Sequence, residues 1–200
     1  ACLFWPVVGS GIRGQNLSSN DSLTLLANTL ATVFALYFLI TIFGDHSSHF
    51  NPVVSMVMLV RKEISTQVCT VFIILQISGA ILGVMLANYI FELDPVLFSE
   101  KPRSGTHLFV SEILATFGLL MVILLSSKEK VAVTVAAYIG AAYWFTSSTS
   151  FANPAGTIGR SFSNTFAGIS TNDILHFCVA QIIGAFLALI VYRTFFESQK

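Results

Sequence analysis

Long apolar runs separated by short polar breaks dominate this chain. The runs cover residues 23–43, 68–91, 108–126, 131–148 and 174–196. A bilayer core of about 30 Å takes about 20 helical residues, so these five predict membrane-spanning helices. A sixth run, residues 1–12, reaches only roughly 18 Å at 1.5 Å per residue. It reads as a first span short by about eight to ten residues, and no basic segment precedes it as in a cleaved signal peptide. The polar breaks fall at residues 13–21, 61–63, 92–106, 128–130 and 170–173. Arg61, Lys62, Lys128, Lys130, Arg193 and Lys200 then lie on one side of the membrane, and Arg13, Lys101, Arg103 and Arg160 on the other. The larger basic count marks the cytoplasmic side and puts both termini there.

Composition agrees with this pattern and removes the alternatives. Hydrophobic residues make up 54% of the 200, with ten basic and ten acidic side chains and zero net charge. Mean hydropathy is +0.79. Such a chain is too apolar to stay disordered and has too few polar residues to cover a soluble domain. Without a cluster of Lys and Arg, no nucleic-acid partner is expected; the partner is membrane lipid. Cys2, Cys69 and Cys178 are odd in number, far apart and set in apolar stretches. They form neither a metal motif nor a disulfide framework, and no metal or cofactor is expected. The expected class is an all-α membrane protein, with Glu112 as the charge buried within a span.

An internal repeat divides the chain. Asn51-Pro52-Val53 and Asn153-Pro154-Ala155 each follow one apolar run and precede another. Downstream, Gln76-Ile77-Ser78-Gly79 is matched by Gln181-Ile182-Ile183-Gly184. Residues 1–91 therefore read as a first repeat and 108–200 as a second, within one channel-like domain. Three spans per half make the second copy enter from the opposite face, giving an inverted repeat. Asn is a preferred N-cap and Pro suits the first helical turn, so each Asn-Pro predicts a helix starting at depth. The stretch from Asn51 to Arg61 makes roughly 15 Å of helix, half a bilayer core. Two re-entrant half-helices then meet N-terminus to N-terminus near the midplane. Backbone left non-helical at that depth must be buried by protein or line a watery cavity.

With these residues in place, the chain resembles the aquaporin or major intrinsic protein family over nearly its whole length. Asn51-Pro52-Val53 and Asn153-Pro154-Ala155 stand where that family has two Asn-Pro-Ala boxes, and Glu112 with Thr116 is similar to its Glu-x-x-x-Thr helix. The stretches 143–154 and 165–169, with 25–32, are similar to a bacterial subgroup found beside arsenic-resistance genes. The resemblance implies a passive homotetrameric channel in the bacterial plasma membrane, one pore per subunit, without cofactor. Its solutes would be small and neutral: water, glycerol-like polyols, and arsenite or methylated arsenicals.

The same resemblance assigns roles. Asn51 and Asn153 would each offer an N–H to a passing oxygen, and His49 would line the cytoplasmic half of the pore. The outer filter would be formed by Thr32 or Ala31, Ala141, Ser150 and Gly156. Gly156 stands where water-selective relatives carry Arg, so a wide and fairly apolar outer constriction is expected. Arg160, one turn further along, is expected nearer the vestibule. Glu112, Gln76 and Gln181 would support the half-helices. The rival readings are a proton-coupled transporter using Glu112 and a non-conducting structural homologue. No catalytic residue is assigned, because no nucleophile–base pair or metal motif is present.

Overall fold

A computed structural model describes residues 2–197; Ala1 and residues 198–200, including Lys200 of the charge count, lie outside the described residues. The helices are α1 (Phe4–Leu17), α2 (Asp21–Phe43), α3 (Pro52–Val60), α4 (Thr66–Ile90), α5 (Thr106–Leu125), α6 (Val131–Phe145), α7 (Pro154–Arg160) and α8 (Ile174–Phe195). Among the described residues there is no β-strand. Helices α2, α4, α5 and α8 are long and apolar enough to cross a membrane. Their outward faces carry large exposed apolar side chains, among them Phe34, Ile74, Leu114 and Ile190, as a lipid solvent requires.

Local chemistry sets the helix starts. The Asn20 side chain accepts from the amides of Ser22 (2.9 Å) and Leu23 (3.3 Å), opening α2. Asn51 and Asn153 do the same for the half-helices, each with Pro in the first turn. Arg61 is the C-cap of α3 and Phe91 that of α4, and each is followed by a left-handed residue, Lys62 (φ 61°) and Glu92 (φ 61°). The next amides, of Glu63 and Leu93, then reach back to Met58 and Asn88 carbonyls, closing the last turns.

Two boundaries differ from expectation. The first helix runs on to Leu17 instead of stopping near Ile12, and the polar break shrinks to residues 18–20. Gly14 permits this, since a Cβ there would lie 2.9 Å from the Thr24 side chain of α2. The run predicted over 131–148 stops being helical at Phe145. Thr146 turns extended (φ −106°, ψ 141°), its hydroxyl bonds to the Ala142 carbonyl at 2.6 Å, and residues 146–152 form the loop feeding α7.

Packing follows the inverted repeat. α1 lies on α2 and α4, as α5 lies on α6 and α8; α3 sits between α4 and α8, and α7 between α8 and α4. The two halves join through α2 against α6 and α3 against α7. Close approach of α5 and α8 depends on Gly184, where a Cβ would strike the Ile113 carbonyl and the Phe117 amide. In a membrane such small-residue contacts replace the hydrophobic drive that packs soluble helices.

Candidate pore

The half-helices meet through their asparagines. Asn51 Nδ2 donates to the Ala152 carbonyl at 2.7 Å, and Asn153 Nδ2 donates to the Phe50 carbonyl at 2.9 Å. Each carboxamide oxygen caps its own helix: Asn51 accepts from Val53 N (3.2 Å), and Asn153 from Ala155 N (3.0 Å) and Gly156 N (3.2 Å). An amide nitrogen carries two hydrogens, so each Asn keeps one donor free. The reciprocal bonds require Phe50 and Ala152 to turn their carbonyls across the junction. Both adopt left-handed backbones, φ 49° and φ 47°, which a side-chain-bearing residue holds only when its surroundings enforce it.

Glu112 supplies that enforcement in the second half. Its carboxylate is fully buried and accepts from Phe151 N at 2.9 Å, Ala152 N at 2.9 Å and Gln181 Nε2 at 2.6 Å. Gln181 also donates to Thr157 of α7 at 2.9 Å. In the first half, Gln76 Nε2 donates to Ser55 Oγ (3.0 Å), which also meets His49 Nδ1 at 3.1 Å. Gln76 Oε1 is buried without a partner, and among the described residues no carboxylate takes the place matching Glu112.

A cavity of ≈ 130 Å³ runs past this junction, from Ser48 and His49 on one side to Arg160 on the other. Asn51 and Asn153 both border it. Its walls are stripes spaced by four residues: Thr32, Leu36 and Ile40 from α2, and Val135, Ile139 and Tyr143 from α6. Thr32 Oγ1 lies 3.0 Å from the Tyr143 hydroxyl, and Ser150 lines the same end. The wall is mostly apolar, with a few convergent polar groups, as small-molecule sites commonly are.

Several residues named from the sequence lie elsewhere. Ala31 and Ala141 are not on the cavity wall, and Ala141 is exposed; Tyr143, two positions on, faces inward instead. Val53 is buried in the core and does not border the cavity. The space a side chain at Gly156 would enter is filled by the Phe4 ring, whose Cε1 lies 2.6 Å from an ideal Cβ. The wall therefore is not vacant beside Gly156. Arg160, expected toward the vestibule, is not extended into water. It is 4% exposed and borders the cavity.

Lys101, Arg103 and Arg160 form a cationic cluster at the outer loops. Three consecutive carbonyls each accept from a different cation: Phe166 from Lys101 Nζ at 2.9 Å, Ala167 from Arg160 Nε, and Gly168 from Arg103 Nε at 2.8 Å. Arg103 is 8% exposed, so Glu112 is not the sole buried charge. Burial pushes Arg103 down to about 10, against the pull of Glu112. Lys101 falls to about 8, first through desolvation and then through the neighbouring Arg103 and Arg160. Sequence reading missed Tyr143, Phe4 and Arg103. The four-residue spacing of Val131, Val135, Ile139 and Tyr143 was the available signal for the first.

An all-helical membrane scaffold with two opposed half-helices, joined over one solute-sized cavity, defines a transmembrane channel. The chain belongs to the major intrinsic protein family, whose profile matches residues 2–147; its members are channels, not enzymes. It is similar to Aquaglyceroporin AqpS of Rhizobium meliloti (strain 1021), with 46% identity over 191 residues, 94% of this chain and 82% of that protein. The X-ray structure of the aquaglyceroporin from Plasmodium falciparum shares the fold, with a TM-score of 0.71 at 17% identity over 99% of this chain and 93% of that one.

Proposed function

We propose that the protein is a passive, single-file channel for water, glycerol-like polyols and small neutral arsenic hydroxides. The observation that carries this is the Asn51–Asn153 junction, where two free amide donors face one cavity. Each half-helix N-terminus adds roughly half a positive charge. A passing oxygen turns its lone pairs toward the centre, which interrupts a proton wire, while cations meet the positive helix ends. The similarity to an aquaglyceroporin supports polyol passage, and the sequence likeness to arsenic-associated relatives supports arsenite and methylated arsenicals.

The outer filter lacks an Arg at position 156, and its nearest cation stands one turn outward, roughly 6 Å along the helix axis. That displacement favours solutes larger than water. The channel acts as a homotetramer in the plasma membrane with cytoplasmic termini, as the basic side chains suggest. A transporter using Glu112 as proton carrier is disfavoured, because both carboxylate oxygens are taken by N–H donors and Glu112 does not border the cavity.

Osmotic swelling of proteoliposomes in water, glycerol and arsenite tests the reading. Wild type should conduct all three well above bare liposomes. Since Phe4 occupies the space beside Gly156, an inserted Arg needs room. Phe4→Ala/Gly156→Arg should therefore reduce glycerol and arsenite flux more than water flux. Absence of any flux above bare liposomes would favour the non-conducting homologue. Uptake that tracks an imposed proton gradient would replace the channel with a transporter.

A further inference from the structure

The first half-helix carries the cavity wall at the end away from Arg160. Asn51, Val54 and Met58 border the cavity, with His49 from the loop before them. Val54 and Met58 are four residues apart and share one face of α3. α3 has nine residues, too few to persist as a helix without support. Its seat therefore depends on what holds its two ends. The start is held by the Asn51–Ala152 bond and by the Gln76–Ser55–His49 contacts.

The far end is held by the end of α8. The carbonyls of Val57, Met58 and Leu59 accept from the amides that follow the helix. The Val60 carbonyl instead accepts from Arg193 Nη2 at 3.1 Å. A cation there satisfies an orphan acceptor and faces the negative end of the helix. The Arg61 guanidinium carbon lies 4.8 Å from the Tyr192 ring centroid. Arg61 also donates to Glu63 Oε1 at 2.6 Å and to Glu197 Oε1 at 3.2 Å. The other Glu197 oxygen lies 3.7 Å from Arg193 Nε. One carboxylate thus joins the C-cap of α3 to the last turn of α8.

This clamp is wet. The side chains of Glu197 and Arg193 are 46% and 45% exposed. An isolated exposed pair contributes little, whereas a network that shares a carboxylate does more, and salt screens it. The opposite half-helix is secured differently. Arg103 and Arg160 are buried and donate to backbone carbonyls of the loop after α7, bonds that salt screens much less.

We infer that Arg61, Arg193 and Glu197 are positioning residues that seat α3 against α8 and make permeation depend on ionic strength. Screening the pairs, or neutralising Glu197, releases the end of α3. The helix then carries Met58 and the Asn51 donor from their places on the wall, and water and polyol permeability fall together. This deepens the channel reading and rests on it.

The test is stopped-flow water permeability of proteoliposomes in a sucrose gradient, with equal KCl on both sides and bare liposomes subtracted at each salt. Raising KCl from about 10 mM to about 1 M shortens the Debye length from about 30 Å to about 3 Å. Wild type should lose about twofold or more over that range. Glu197→Gln and Arg61→Gln should start near the lowered value and barely respond to salt. Their double variant should match either single one, because both act through the same contact. Glu197→Asp, which keeps the charge, should retain part of the salt response. A merely structural role would lower permeability in the variants and leave the wild-type salt response intact. A wild type indifferent to salt, or a Glu197→Gln that responds as wild type does, would overturn the clamp. A wild type with no flux above bare liposomes at any salt would overturn the channel reading instead.

Discussion

Replacing Glu112 with Gln separates support of the pore from every other role for that residue. The substitution keeps shape and volume but exchanges one acceptor oxygen for an NH₂ donor. In the native arrangement both oxygens accept, from Phe151 N, Ala152 N and Gln181 Nε2. A glutamine oxygen can serve one side, so the other side sets donor against donor. Hydrogen bonds to a charged group contribute about 1.5–3 kcal/mol each. Losing one or two of them in a fully buried site costs about 3–5 kcal/mol. The strain falls on Ala152, whose left-handed backbone (φ 47°) aims the carbonyl that Asn51 Nδ2 binds at 2.7 Å. The half-helix junction should therefore loosen before the outer helices do. In detergent the thermal midpoint should drop by about 10 °C for a loss of this size, and stopped-flow swelling should fall for water and polyol alike. A Glu112→Gln variant with an unchanged midpoint and unchanged swelling would refute the supporting role. One with intact passive swelling and lost proton-driven uptake would point to a proton carrier.

Two further outcomes follow from packing and charge. Gly184→Ala places a methyl against the Ile113 carbonyl and Phe117 amide, so α5 and α8 must separate; the expected cost is about 2 kcal/mol or more, and an unchanged thermal midpoint in detergent would count against close packing there. Lys101 is held at about 8 by burial and the adjoining Arg103 and Arg160, below its unfolded value near 10.4. Between those values the unfolded chain binds the extra proton, so stability rises with pH over that window. The midpoint of the wild type should climb from about pH 8 to about pH 10 and that of Lys101→Gln should climb less; equal climbs would remove Lys101 as the source.

Much of the framework was legible because a lipid solvent restricts the options. A backbone in hydrocarbon must satisfy its own hydrogen bonds, so apolar runs near 20 residues could only be helices. Asn-Pro after a span is a helix start, and its duplication revealed the inverted repeat. The errors had local causes. Gly14 allowed α1 to extend to Leu17, past the position where a polar residue suggested a turn. α6 ended at Phe145, three residues early, where Thr146 turns extended, and the α6 residue that faces the cavity is Tyr143 instead of Ala141. Counting positions back from Asn153 could not detect that change.

The sequence by itself determined the class, the two half-helices and the pairing of Asn51 with Asn153, because periodicity, length and capping are local properties. It also placed Gly at position 156. Only the tertiary structure decided what surrounds it. Phe4, from another helix, fills the space a side chain there would enter. Arg160 reaches the cavity because the Ala167 carbonyl and the Phe151 ring hold it there. A channel wall is assembled from side chains distant in the chain, so its polarity depends on which of them converge, and convergence is a property of packing.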